Sequence, residues 1–207
     1  MSPASGAPRE VAEPSCRGPT ERWTLRDGTV VRVRAVLPHD GPRIADFLAH
    51  VSVDSLERRF FSAVTRDRVA AEILGAPASR ERISLIVELF QHGIGPVVAH
   101  GELDRLPDDP ACAEVAFLVA DDRQGQGLGT VLLRELARRA ARVGISRLEA
   151  VVQAENRPML DVFLGSGLPC TITWRDGEGL VTLDLAPAPA NPARPSGPAS
   201  DAPLVPA

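Results

Sequence analysis

Apolar positions along the chain recur with two periods, and these periods predict its secondary structure. Residues 30–36 alternate apolar and arginine side chains, which is typical of a strand with one buried face. Residues 128–143 place apolar side chains three or four positions apart and end at Gly144, as expected for an amphipathic helix. Further helices are predicted over residues 39–51 (beginning near Asp40), 54–63, 66–74 and 156–164. Further strands are predicted over residues 83–90, 96–103, 113–120, 147–153, 170–174 and 179–185, and residues 23–25 are expected to pair with the first strand.

The two ends of the chain do not share this patterning. Residues 1–20 and 186–207 are rich in Pro, Ala and Ser and have little apolar surface to bury, so both are predicted to be disordered tails. One folded domain is therefore expected over residues 21–185. Its order, β-α-α-β-β-β-α-β-α-β-β with an additional short helix at 66–74, predicts an α+β fold with a sheet of mixed direction.

Composition and charge exclude several classes of function. The net charge of −4 argues against a nucleic-acid footprint, which needs a clustered basic excess. The three cysteines form no CxxC pair and the four histidines have no metal-ligand spacing, so no disulfide framework and no metal site are expected. The start of the chain lacks the pattern of a signal peptide, and no apolar run approaches a membrane span of about 20 residues. A soluble cytoplasmic protein is the expectation.

The segment AEVAFLVADDRQGQGLGT, residues 113–130, is predicted to bind an anion. Gly125, Gly127 and Gly129 lie between a strand and a long helix, where the backbone can bend and approach a ligand closely. The unpaired N–H groups and the positive dipole end of that helix favour a phosphate or pyrophosphate. A tight turn that binds nothing is the simpler alternative. A dinucleotide fold is another, but Thr130 stands where its fingerprint GxGxxG requires the third glycine.

Four segments of the chain carry a resemblance to a known family. Gln124 to Gly129 (QGQGLG) is similar to the Q/R-x-x-G-x-G/A signature of the GCN5-related N-acetyltransferases, the GNAT superfamily. Residues 156–168 (NRPMLDVFLGSGL) resemble the Asn-x-x-Ala…Tyr…Gly-Phe segment of that superfamily. SVDSLERRFFSA at 52–63 and DGTVVRVRAVLPHD at 27–40 resemble the branch of bacterial Pat-type protein acetyltransferases, which modify a lysine of acyl-CoA synthetases.

The resemblance implies a GNAT fold, with a mostly antiparallel central sheet flanked by helices, and acetyl-CoA as the acyl donor. The backbone amides of Gln124, Gly125, Gln126, Gly127, Leu128, Gly129 and Thr130 would bind the CoA pyrophosphate. Backbone groups of Phe117, Leu118 and Val119 would pair with the pantetheine arm, and Asn156 would contact the cofactor near its other end. No module like the cyclic-nucleotide-binding domain of that branch is recognisable, so any such regulation is expected to be absent or supplied in trans.

Acyl transfer to an amine requires a base, because a lysine amine with a pKa of about 10.4 is protonated near neutrality. Glu114, in AEVAF, is the first candidate, since its apolar neighbours are expected to desolvate it and the same segment carries the catalytic glutamate in related lysine acetyltransferases. A solvated residue of an edge strand is the simpler interpretation of Glu114, and Glu102 is the second candidate base. Phe163 stands where the family often has a tyrosine general acid, and Ser166 or a water is the available substitute.

Three hypotheses about function follow. The first is an acetyl-CoA-dependent acetyltransferase acting on a lysine of a protein such as an acyl-CoA synthetase. The second is an acetyltransferase for a small amine, and the third is a non-catalytic acyl-CoA-binding module, suggested by Phe163. The helices after the first strand and the terminal hairpin are expected to determine the acceptor, with Phe60 and Phe61 in the core.

Overall fold

The computed structural model describes residues 20–75, 79, 81–90 and 95–185. Its helices are α1 (Gly41–Ala49), α2 (Val53–Phe60), α3 (Arg66–Gly75), α4 (Leu128–Arg142) and α5 (Arg157–Leu164). Its strands are β1 (Glu21–Thr24), β2 (Val30–Ala35), β3 (Arg82–Leu89), β4 (Val97–Leu106), β5 (Asp109–Val119), β6 (Arg147–Gln153), β7 (Cys170–Arg175) and β8 (Glu178–Asp184). The predicted tails lie outside the described residues, apart from Thr20.

The strands form one sheet in the order β1-β2-β3-β4-β5-β6-β8-β7. Neighbouring strands are antiparallel except β5 and β6, which run parallel because α4 returns the chain across the sheet between them. The prediction of a mixed, mostly antiparallel sheet is therefore confirmed. The pairing of β1 with β2, predicted across the turn at Asp27 and Gly28, is also observed.

Helices cover the two faces of the sheet differently. On one face, Leu132 and Leu136 of α4 and Phe163 of α5 pack against Val115 and Phe117 of β5 in the larger hydrophobic cluster. On the other face, apolar residues of α1, α2 and α3 pack against Ile86 and Leu118 in a second cluster. Successive residues of β5 therefore face opposite helical layers, as the period of a strand requires.

Several boundaries differ from the predicted ones. The strands predicted over 96–103 and 113–120 extend to Leu106 and begin at Asp109, because exposed strand ends continue to pair through the backbone without an apolar pattern. The helix predicted from Asp40 begins with a 3₁₀ turn at Pro38–Asp40. The helix predicted over 54–63 ends at Phe60, since Phe61 adopts a left-handed conformation with φ 54°.

The prediction that Phe60 and Phe61 both lie in the core is half wrong. Phe60 is partly buried against the second cluster, where Arg59 stacks over its ring at 4.7 Å. Phe61 is 43% exposed. A left-handed residue at the end of α2 turns its side chain away from the apolar stripe of the helix, so spacing along the helix no longer predicts its burial.

A buried ionic cluster joins β2, β3 and α1. Asp40 and Glu88 are both fully buried. Arg34 binds Asp40 through two hydrogen bonds of 2.7 Å and also binds Glu88, while Arg32 and Arg43 complete the pairing of Glu88. Burial alone would raise the pKa of both carboxyls, but the surrounding guanidinium groups outweigh it and hold both pKa values below the usual range.

Candidate active site

The parallel strands β5 and β6 separate part-way along their length. Their pairing covers only three positions and ends where Glu114 lies beside Glu149. Beyond that point β5 continues to Val119 on β4, and β6 continues to Gln153 on β8. A gap therefore opens inside the sheet between the second half of β5 and the second half of β6. We call this the strand gap, and the pair Glu114–Glu149 its vertex.

Main-chain groups of β5 face the strand gap at alternate residues. Ala120 donates from its N–H to the Val98 carbonyl (3.0 Å), which continues the antiparallel register of β4 and β5. Alternation in such a ladder directs the main chain of Leu118 to β4 and those of Phe117 and Val119 to the gap. The main-chain groups of Phe117 and Val119 thus face the strand gap, and those of Leu118 face β4. The predicted contacts of these three residues with a pantetheine arm stay predictions.

Residues 124–130, which we call the glycine loop, lie at the open end of the strand gap, shortly after β5. A single 3₁₀ turn, Asp121–Arg123, leads into it, and α4 begins at Leu128 with Gly127 as its N-terminal flanking residue. No side chain of the described residues caps α4, and the first intrahelical bond is that from Val131 N–H to Gly127 C=O (3.1 Å). The amides of the first helical turn are therefore available to an anion.

Glycine is required at the three positions of the loop for two different physical reasons. Gly125 (φ +75°) and Gly127 (φ +91°) adopt left-handed conformations, and a Cβ at either would meet no atom within 4 Å. Gly129 lies inside α4, where a Cβ would stand 2.9 Å from Cγ2 of Val162 on α5. The first two glycines shape the loop, whereas the third allows α5 to pack closely against α4.

Side chains connect the glycine loop to α2. The Asp121 carboxylate accepts hydrogen bonds from the Ser52 N–H (3.2 Å) and the Ser55 hydroxyl (2.8 Å). Gln124 Nε2 donates to Ser55 Oγ (3.3 Å), to Asp121 Oδ1 (3.2 Å) and to the Val119 carbonyl (3.4 Å), which faces the strand gap. Burial would raise the pKa of Asp121, but its bonds to Ser52 and Ser55 outweigh this and lower it. The N-terminus of α2 is thus held against the predicted pyrophosphate loop.

Asn156 lies at the other side of the open end, between β6 and α5. Its side chain accepts a hydrogen bond from the Met159 N–H (3.3 Å) and so caps α5. The Asn of the resemblance segment therefore has a structural role of its own here. Its predicted contact with the cofactor stays a prediction.

Glu114 lies at the vertex, on the sheet face that α1, α2 and α3 partly cover. It is exposed, so the desolvation expected from its apolar neighbours is not observed. Ala113 and Val115 point to the opposite face, which explains why an apolar sequence context did not bury the carboxylate between them. Within the described part of the chain, Glu114 has no hydrogen bond or ion pair.

Two further carboxylates flank Glu114 on the neighbouring strands. The register places Asp104 of β4 directly opposite Glu114 on one side and Glu149 of β6 on the other, so all three point to the same face. Nε of Arg82 lies 3.6 Å from Oδ1 of Asp104, and Nε of Arg147 lies 3.4 Å from Oε1 of Glu149. The pKa of Asp104 is raised, mainly by burial. Repulsion from Glu102 and Glu114 raises it further, and the attraction of Arg82 only partly offsets these effects. Sequence reasoning missed Asp104 and Glu149, since strand register is not readable from a single chain.

Glu102, the second candidate base, is engaged elsewhere. It is 5% exposed and forms ion pairs with Arg59 of α2 and Arg82 of β3. Burial would raise its pKa, but the net shift is downward. A charged His100 would make the largest contribution to lowering the pKa of Glu102. Burial, however, lowers the pKa of His100 to about 4, so that this ring is neutral near pH 7. The two arginines therefore keep Glu102 ionised, and a carboxylate held in this way is a poor base.

Phe163 is a core residue. It is 1% exposed, and its ring lies 6.1 Å from that of Phe117 (centroid to centroid). Ser166 is buried as well, and its hydroxyl accepts a hydrogen bond from the Leu168 N–H (3.1 Å). Neither side chain has the exposed O–H that a general acid needs.

The family model for the acetyltransferase (GNAT) family matches residues 51–166, which contain the glycine loop, both strands of the strand gap and α5. This match covers more than half of the chain. The chain therefore belongs to the GNAT family of acetyltransferases.

Two relatives give the same assignment. The acetyltransferase Pat of Mycolicibacterium smegmatis is 30% identical over 161 residues, which are 78% of this chain and 47% of Pat. The chain thus spans about half the length of that relative. The crystal structure of the GNAT domain of S. lividans PAT superimposes with a TM-score of 0.71 at 30% identity, covering 80% of this chain and 97% of that domain.

A more distant structure shares the fold alone. The structure of yncA from Salmonella typhimurium, with its cofactor acetyl-CoA, has a TM-score of 0.59 at 19% identity, covering 79% of this chain and 99% of that one. Together these findings confirm the predicted GNAT fold and the resemblance to the Pat branch. The chain thus has the domain of an acetyltransferase family that uses acetyl-CoA as donor.

No metal site is evident in the described ranges, where no group of three or more His, Cys, Asp or Glu residues could hold an ion. Among the same residues, no helix has the length and apolarity needed to cross a membrane.

Proposed function

We propose that this protein transfers an acetyl group from acetyl-CoA to a lysine side chain of a protein such as an acyl-CoA synthetase. The observation that carries the proposal is the strand gap. Its open end presents helix amides suited to a diphosphate, its β5 edge presents main-chain groups that β4 does not pair, and its vertex presents the exposed carboxylate of Glu114. The resemblance of residues 52–63 to Pat-type protein acetyltransferases supports a protein acceptor.

In this proposal different residues of the strand gap bind different parts of acetyl-CoA. The amides of residues 124–130 bind the diphosphate, with the positive end of the α4 dipole behind them. The main-chain groups of Phe117 and Val119 pair with the pantetheine amides as a further strand would. These contacts use backbone atoms, so the buried side chain of Phe117 remains free to pack beneath α4.

Glu114 acts as the general base. It takes the proton from the lysine ammonium group, and the neutral nitrogen then attacks the thioester carbonyl. The new C–N bond forms as the C–S bond breaks, and the sulfur departs with the bonding electrons as thiolate. The second proton of the attacking nitrogen passes to that thiolate or to solvent, which leaves a neutral amide. A thiol with a pKa of about 8.5 is a tolerable leaving group without a dedicated acid, so the buried Phe163 is compatible with turnover.

A thiol-release assay with acetyl-CoA tests this function. We expect acetylation of a lysine on an acyl-CoA synthetase, and a loss of kcat of about 10²–10⁴-fold in Glu114→Gln. Glu72→Gln, an exposed carboxylate on α3, is the matched control and should keep full activity. Unchanged kcat in Glu114→Gln would refute the base assignment.

The same assay separates the remaining hypotheses. Thiol release with small amines but with no protein would identify a small-molecule acetyltransferase. Tight acetyl-CoA binding without thiol release on any amine would identify a non-catalytic module.

A further inference from the structure

The face of the sheet that carries Glu114 is uncovered beyond β5. On β6 and β8, Leu148, Val152, Val181 and Leu183 point to the face beneath α4 and are buried. Their neighbours Val151 and Leu180 point the other way and are 44% and 42% exposed. These two lie directly opposite each other in the register of β6 and β8. No helix of the described residues buries them.

Polar groups surround these two aliphatic residues in an ordered way. The carboxylate row Asp104, Glu114 and Glu149 continues across the sheet into Thr182 of β8 and Thr171 of β7. The row containing Val151 and Leu180 continues into Thr173 of β7. We call this surface, from Asp104 to Thr173, the open face. It begins at the vertex of the strand gap and extends outward from it.

The charges of the open face favour a cationic occupant. Glu114 is unpaired, and each flanking carboxylate shares its arginine with another acid. Arg82 also binds Glu102, and Arg147 also binds Asp109 (2.6 Å). The row therefore keeps an excess of negative charge next to an exposed aliphatic pair, which complements a lysine-bearing segment with basic and aliphatic neighbours.

We propose that the open face docks the acceptor as a basic, lysine-bearing protein segment, with the lysine at Glu114, cationic neighbours along the carboxylate row and an aliphatic side chain on Val151 and Leu180. This inference rests on the proposed function for its choice of lysine. It adds which surface selects the acceptor and which sequence around the lysine it selects. Glu149 and Leu180 are specificity residues in this scheme and take no part in the chemistry.

The test uses the full chain and two fluorescein-labelled peptides of one length, each with a single lysine beside a leucine. Arginines flank the lysine in one peptide, and glutamates flank it in the other. Binding is measured by anisotropy and transfer by thiol release. We expect the basic peptide to be favoured by about tenfold in Kd and in kcat/KM, since a few partly exposed charge pairs supply that much.

Two variants and one control locate the preference. Glu149→Lys should abolish or reverse the preference, and Leu180→Ser should weaken both peptides by about threefold, both with an unchanged KM for acetyl-CoA. Glu72→Lys on α3, with the same change of charge, should keep the wild-type preference. Thermal melts of the variants confirm that they are folded.

The outcomes separate this inference from the proposed function. A binding preference that Glu149→Lys removes, without any acetyl transfer, supports the docking surface and refutes the lysine acetyltransferase. Acetyl transfer at equal rates to both peptides supports the lysine acetyltransferase and refutes the docking surface. A wild-type dimer that Leu180→Ser converts to monomer in sedimentation would show that the open face binds a second copy of the chain, and would overturn the proposal.

Discussion

Replacing Gly129 by alanine tests whether this glycine serves packing or ligand binding. The new Cβ would lie 2.9 Å from Cγ2 of Val162, about half an ångström inside the 3.4 Å at which ordinary contacts begin. Valine is stiff about χ1, so α5 has to shift away from α4. Such overpacking costs about 1–3 kcal/mol, and alanine in a helix recovers up to about 1 kcal/mol. We expect a net loss of about 1 kcal/mol in the free energy of unfolding.

The double variant Gly129→Ala/Val162→Ala provides the decisive measurement. With the valine shortened the overlap disappears, so urea unfolding of the four proteins of the cycle should give a favourable coupling of about 1–2 kcal/mol. The KM for acetyl-CoA should rise in Gly129→Ala and recover in the double variant. A coupling near zero, or a KM that stays high in the double variant, would show that Gly129 serves close approach of a ligand.

Gly127→Ala is the matched contrast. Its φ of +91° makes alanine strained by about 1–2 kcal/mol although no atom lies within 4 Å of the added Cβ. The loss should therefore be independent of Val162→Ala, and the effect on the KM for acetyl-CoA should persist in any background.

Two further predictions concern stability. Glu102→Gln should lower the free energy of unfolding by about 3 kcal/mol, because it removes the buried anion that Arg59 and Arg82 share and leaves Arg82 only its longer contact with Asp104. Glu72→Gln should change it by less than about 0.5 kcal/mol. Equal urea midpoints for the two variants would contradict this. Acid should destabilise the chain through Asp40 and Glu88, since their folded-state pKa values lie below the ordinary 3.8 and 4.5. Their contribution to stability is present above those ordinary pKa values and is lost as the pH falls below them. The urea midpoint should therefore drop between about pH 5 and about pH 3. A midpoint that stays constant over that interval would show that the cluster adds nothing to stability.

Local pattern alone was sufficient for the elements that carry one buried stripe. Helix α4, strand β6 and the glycine loop lie where the periodicity and the helix-stop signals predict them. The amides of the loop could be proposed as an anion site from sequence because a glycine-rich turn before a helix has few other geometries. Resemblance of two short segments then extended the inference to the fold and to the donor.

The arrangement of the acceptor side was decided by tertiary structure. The neighbours of Glu114 in the sequence were enough to place it on a strand. Its exposure and its position between Asp104 and Glu149 depend on which strands pair and in what register. The same holds for the ion pairing of Glu102. Register joins residues tens of positions apart, and a shift of one residue would turn every side chain to the other face. The sequence by itself was therefore enough to predict a loop for the donor, whereas the separation of β5 and β6 decided which carboxylates lie together, because only long-range pairing brings those groups to one vertex.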